Sequence, residues 1–173
     1  NQNFKILILD SSFEKIDFSL INELILDKNV LLKKFSSKIK LAQKISEGLE
    51  CVDTKYCVLC ADDDFIIPDA IEKCILFLEK NDDYTSCHGE YYIHSSFRKT
   101  KKHGIVFSKL SKNLISCDYE DHFDRIDAYV KNELLSQYPF YAVSKTRNLK
   151  KIWYQTKLYA NDWIINEYFS CMI

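Results

Sequence analysis

Three consecutive carboxylates, Asp62-Asp63-Asp64, follow directly on the apolar run Tyr56-Cys57-Val58-Leu59-Cys60-Ala61. Adjacent carboxylates repel one another, so three of them at the end of an apolar segment cost stability unless a cation or solvent relieves the repulsion. Their hard oxygens suit Mg2+ or Mn2+, ions that also bind phosphates. In an extended chain Asp62 and Asp64 project to one side and Asp63 to the other. Asp62 and Asp64 are therefore the expected metal ligands, with Asp63 left to contact a ribose or to hold the loop. The competing role is a solvated loop whose charge favours the N-terminus of the helix expected from Pro68.

Four further groups bear on chemistry. Asp10 ends a second apolar stretch, Phe4-Lys5-Ile6-Leu7-Ile8-Leu9. Ligands of open α/β sheets bind beyond the carboxyl ends of the strands, so Asp10 is expected to open onto the same crevice as the aspartate run. Capping together with Ser11 and Ser12 is an equally weighted alternative. Near the end, Asp162 and Glu167 are two carboxylates on an expected helix. Five residues correspond to about 500° of rotation, so the two stand roughly 140° apart and at most one faces a site. Asp162 is the expected general base, with a helix cap as its plainer role. The basic turn over residues 98–102 reads as a solvated loop, with a phosphate-bearing acceptor as its functional alternative. Cys57 and Cys60 form a lone C-x-x-C without a second pair. On a strand, positions i and i+3 point to opposite faces, which favours core thiols over zinc or redox chemistry.

The elements that must position these residues follow from periodicity. Strands are expected at residues 4–9, 29–32, 56–61 and 84–88, with helices over 18–26, 38–52 and 68–81 between them. Ala42, Ile45, Leu49 and Val52 fall at 3-4-3 spacing on one helix face. Pro68 suits the first turn of its helix, where its missing N–H is no loss. Alternating strands and helices imply βαβ units and a mainly parallel sheet. After Gly89 the pattern changes to α+β. A hairpin is expected from residues 91–94 and 104–107, then a helix with Phe123, Ile126, Val130 and Leu134 on its face. A late strand is expected at Phe140-Tyr141-Ala142-Val143, and helices from about Thr146 and Asn161.

The chain has 173 residues, enough for one domain with a substantial core. Apolar residues make up 47% and charged residues 28%, the balance of a globular, soluble chain. A net charge of −1 gives no electrostatic case for nucleic acid or for a membrane. No apolar run approaches the roughly 20 residues that span a bilayer. Seven scattered cysteines point to reduced thiols and a cytoplasmic setting, at most at the inner face of a membrane. No pattern specifies an oligomer.

The stretch Val58-Leu59-Cys60-Ala61-Asp62-Asp63-Asp64-Phe65-Ile66-Ile67-Pro68-Asp69-Ala70-Ile71-Glu72 resembles the core of family 2 glycosyltransferases. There, a hydrophobic strand runs into an aspartate-rich segment, then apolar residues, Pro, Asp, Ala and a helix. Ile8-Leu9-Asp10-Ser11-Ser12 is similar to the family's strand ending in Asp and Ser, and Gly48 sits where the family's glycine falls. Phe140-Tyr141-Ala142-Val143 followed by Arg147-Asn148-Leu149 resembles the segment beyond its acceptor region. The resemblance implies a single GT-A-like domain with a nucleotide- and metal-binding half (1–89) and an acceptor-side half (90–173), a nucleotide-diphosphate sugar donor, Mn2+ or Mg2+, and a glycan or lipid-linked acceptor. It also implies that the family's first strand and helix would precede residues 4–12.

The family often carries aspartate where Ala61 stands, so the metal pair falls on Asp62 and Asp64. Its helix-borne basic residue falls on Ile45, with Lys44 the nearest substitute as a donor contact. Its C-terminal acid pair corresponds to Asn161-Asp162, with Glu167 in reserve. Asp10 and Asp63 are implied donor contacts. Two other readings remain: a nucleotidyltransferase of similar architecture, and a non-catalytic sugar- or partner-binding module.

Overall fold

The computed structural model describes residues 4–14, 28–99, 102–109, 116–131, 139–159 and 170, with residues 96–99 and 102–104 described in their backbone only. Contacts divide the chain into two units, Asn1–Cys57 with Thr146–Asn166, and Val58–Lys145 with Glu167–Ile173. The expected helix at 18–26 and the helix from Asn161 lie outside the described residues.

In the first unit, β1 (Ile6–Asp10) and β2 (Val30–Lys34) pair in parallel, from Ile6 opposite Val30 to Asp10 opposite Lys34. This is the parallel pairing that the alternating pattern implies. Helix α1 (Leu41–Leu49) buries Ala42, Ile45 and Leu49, three of the four residues on the expected stripe. Gly48 faces β1 closely. A Cβ there would stand 2.5 and 2.6 Å from the two methyls of Leu9. The side chain of Lys33 reaches back from β2 and donates to the Glu47 carbonyl at 2.8 Å. Helix α4 (Thr146–Tyr159) packs on α1 and buries Leu149, Ile152, Trp153 and Thr156, an i, i+3, i+4, i+7 stripe. The hydroxyl of Thr156 donates to the Ile152 carbonyl one turn back, at 2.9 Å, so its burial leaves no polar atom unmatched. Strand β3 is short, Tyr56–Cys57. The expected six-residue strand stops there, because the run is not buried on both faces: residues 56–59 are half-buried and Cys60 is exposed.

In the second unit, α2 (Pro68–Lys80) starts with Pro68, carries Asp69 in its first turn and Lys80 in its last, and so complements its dipole at both ends. It buries Cys74 and Leu78 and packs against β4 (Ser86–Cys87) and β7 (Val143–Lys145), which pair antiparallel. The late strand begins later than expected. Pro139 fixes its own φ and cannot donate to a ladder, and residues Pro139–Tyr141 form a 3-10 turn first, closed by Ala142 N–H donating to the Pro139 carbonyl at 3.1 Å. Strands β5 (Tyr92–Lys99) and β6 (Lys102–Lys109) form the expected antiparallel hairpin, longer than the sequence suggests.

Helix α3 (His122–Val130) is capped by Asp121, whose carboxylate accepts from Phe123 N–H at 2.6 Å. The expected apolar face is corrected. Ala128 and Tyr129 are buried with Ile126 and Cys117 against them, whereas Phe123 and Val130 are exposed. Leu134 lies outside the described residues. The described chain is mixed α/β with small sheets.

Candidate functional site

The carboxyl end of β1 carries the first group of candidate residues. Asp10 is buried, and its Oδ1 accepts from Ser12 N–H at 2.8 Å and from the Ser12 hydroxyl at 2.5 Å. This is an Asx turn, in which the aspartate side chain replaces a backbone acceptor two residues on. Lys34, opposite Asp10 in the register, places Nζ 2.9 Å from the other carboxylate oxygen. The Ser12 hydroxyl first, then Lys34, hold the Asp10 carboxyl down at a pKa of about 2, against a small opposing effect of burial. Lys44 arrives from α1 and donates to the Ser11 hydroxyl at 2.9 Å. Two sequence candidates, Asp10 and Lys44, thus meet through the Ser11-Ser12 turn. Lys34 joins them and was missed by sequence reading. Its signal was the register of two parallel strands, which shows only once the strands are paired. The helix that Asp10 would cap together with Ser11 and Ser12 lies outside the described residues.

The second group is the aspartate run. Asp62 and Asp63 occupy a turn, with Asp64 N–H directed to the Ala61 carbonyl at 3.3 Å. The alternation of an extended chain therefore does not apply, because the chain bends at the residues meant to alternate. All three side chains are exposed. Cys60 turns its thiol onto the Ala61 carbonyl at 3.3 Å, bracing the turn from below. Tyr141 lies on the 3-10 turn. Its phenol is pushed above the ordinary value, by burial first and then by the negative charge of Asp64 and Asp63. Tyr141 is the second residue missed, since the sequence placed it within a strand. Its ring is held by an edge contact with Phe140 at 4.7 Å.

Among the described residues, no group of three or more His, Cys, Asp or Glu side chains is gathered as a metal cage. Mg2+ keeps several waters and takes one or two carboxylates plus substrate phosphates. The donor set of the turn, exposed carboxylate oxygens alone, fits such an ion. Of the pair expected in the core, Cys57 is half-buried and Cys60 is exposed; burial pushes the Cys57 thiol up, and burial with the charge of Asp64 and Asp63 raises Cys60. Asp162 and Glu167 lie outside the described residues.

The family model for glycosyl transferase family 2 matches residues 1–153, and with them both candidate groups. The chain belongs to glycosyltransferase family 2. Membership implies a GT-A-type fold and glycosyl transfer as the general activity. Comparison with curated proteins and with solved structures gave no match. No described helix is long and apolar enough to cross a membrane.

Proposed function

We propose that this family 2 chain moves a sugar from a nucleotide-diphosphate donor to an acceptor hydroxyl, with a divalent cation and with inversion at the anomeric carbon. The observation that carries the reading is the exposed aspartate turn within the span matched by the family model. Asp62 and Asp64 hold Mn2+ or Mg2+. The bound ion supplies charge neutralisation for the departing diphosphate. Asp63 contacts the ribose or holds the turn.

Asp10 contacts the base or ribose of the donor, and Lys44 is a second donor contact. Lys34 and Ser12 keep Asp10 ionised and fixed, so that it meets the donor without reorganisation. Asp162 takes the proton from the acceptor hydroxyl as its oxygen bonds to the anomeric carbon and the bond to the diphosphate breaks. A positioned base of this kind contributes about 10²–10⁴-fold. Glu167 is the alternative base. The acceptor is a glycan or lipid-linked glycan reached from the cytoplasm.

The test is product analysis with a nucleotide-sugar panel, the purified chain and Mn2+. Release of nucleoside diphosphate that stops in Asp64→Ala supports the reading. Asp162→Asn is expected to lose turnover and keep donor binding. Release of pyrophosphate would instead mean nucleotidyl transfer. Full turnover in Asp64→Ala overturns the metal assignment.

A further inference from the structure

The β5–β6 hairpin is exposed on both faces. Ile105 is 65% and Phe107 67% accessible, and Tyr92, Ile93 and Val106 are exposed as well. Successive residues of a strand point to opposite sides. In the register of the hairpin, Ile105 and Phe107 therefore share a face with Tyr92, while Val106 shares the other with Ile93. An antiparallel ribbon in water ordinarily keeps one face polar. This one presents apolar side chains on both. Phe65, 82% exposed and next to Asp64, extends the patch: its ring meets His94 edge-on at 5.3 Å, and His94 stands 6.5 Å from Phe107.

The charge of the segment is as one-sided as its polarity. From Tyr91 to Cys117 the chain holds no carboxylate, yet it carries Arg98, Lys99, Lys101, Lys102, Lys109 and Lys112. Lys109, at the base of the hairpin, pairs with Glu90. The other hairpin cations gather toward the turn end, where Arg98 stands opposite His103 and Lys99 opposite Lys102. A chain of net charge −1 therefore concentrates positive charge on one apolar ribbon.

Apolar side chains flanked by cations match the boundary between acyl chains and anionic headgroups. We infer that the β5–β6 hairpin docks this chain onto an anionic lipid surface, with its basic end at the headgroups and Ile105, Val106 and Phe107 at the acyl boundary. A second copy of the ribbon is a poor occupant, because like charges would face each other and strand-borne Lys resists edge pairing. A hydrophilic polyanion would satisfy the cations and leave the aromatic and aliphatic side chains in water. The inference does not depend on the proposed reaction.

The experiment is co-sedimentation of the chain with phosphatidylcholine vesicles, with and without phosphatidylserine, across a salt series. Binding is expected only with phosphatidylserine, weakening as salt screens the charges. Lys99→Gln, Lys101→Gln and Lys102→Gln together should weaken it about a hundredfold, from the usual contribution of each cation near an anionic surface. Phe107→Ser should weaken it at every salt concentration, because its contribution is apolar. Dextran sulfate serves as the headgroup-free polyanion. No binding to either vesicle, equal binding to both, or dextran sulfate binding as tight as vesicle binding and unmoved by Phe107→Ser would each overturn the inference. The salt series on the unaltered chain decides the point even if a variant fails to fold.

Discussion

At the scale of the residue, Asp10 sets the terms. Ser12 and Lys34 hold the Asp10 carboxyl at about 2, below the ordinary value of 3.8. A carboxyl whose pKa falls on folding adds stability that is complete above its unfolded pKa and disappears as pH drops through the folded one. Asp10→Asn should therefore cost about 1–2 kcal/mol at neutral pH, since Lys34 is half in solvent and its share is screened. That cost should shrink between pH 4 and pH 2, as the unaltered protein loses the same contribution. Urea unfolding across this range measures it, and a cost independent of pH would contradict the account. The sequence showed Asp10, Lys44 and the aspartate run, because carboxylates after apolar runs declare themselves. It hid Lys34, because its contact with Asp10 comes from the pairing of distant segments.

At the scale of the element, helices read more faithfully than strands. The stripe of α1 and the proline start of α2 are local signals, and both elements form where their residues put them. Strands β3 and β7 depend on partners that no local pattern specifies, and one is shorter and the other later than expected. The face of α3 was misread for the same reason: Cys117 and Ile126 lie against Ala128 and Tyr129, and packing outweighs the regular spacing of Phe123 and Val130. Gly48 shows what an element pair requires. An alanine there gains up to about 1 kcal/mol of helix propensity. Its methyl would also meet Leu9 at 2.5 Å, and the Leu9 Cγ stands at only 3.2 Å, so the whole isobutyl group must move. Overpacking of this kind costs about 1–3 kcal/mol. Gly48→Ala should be net destabilising, and in a Leu9→Ala background the same change should become neutral or favourable. A cycle with no coupling between the two positions would contradict the close approach.

At the scale of the molecule, the aspartate run and its flanks carried the family assignment before any element was known. Sequence reading expected a mainly parallel sheet; among the described strands β1–β2 pairs in parallel, whereas β4–β7 and β5–β6 pair antiparallel. Net charge was the least informative global number. The value of −1 averages a basic, apolar hairpin against an acidic remainder, and only the placement of β5 and β6 separates the two. The central claim, a cation-dependent nucleotide site built on Asp62 and Asp64, is tested most directly by thermal unfolding with Mn2+ and UDP, GDP, dTDP or CMP in turn. A ligand at about 100 times its Kd stabilises by roughly 2.7 kcal/mol, which raises the midpoint of a chain this size by several degrees. One nucleotide should produce that rise in the presence of Mn2+, and Asp62→Ala/Asp64→Ala should abolish it. An equal rise without metal, an equal rise in the double variant, or no rise with any nucleotide would contradict the claim.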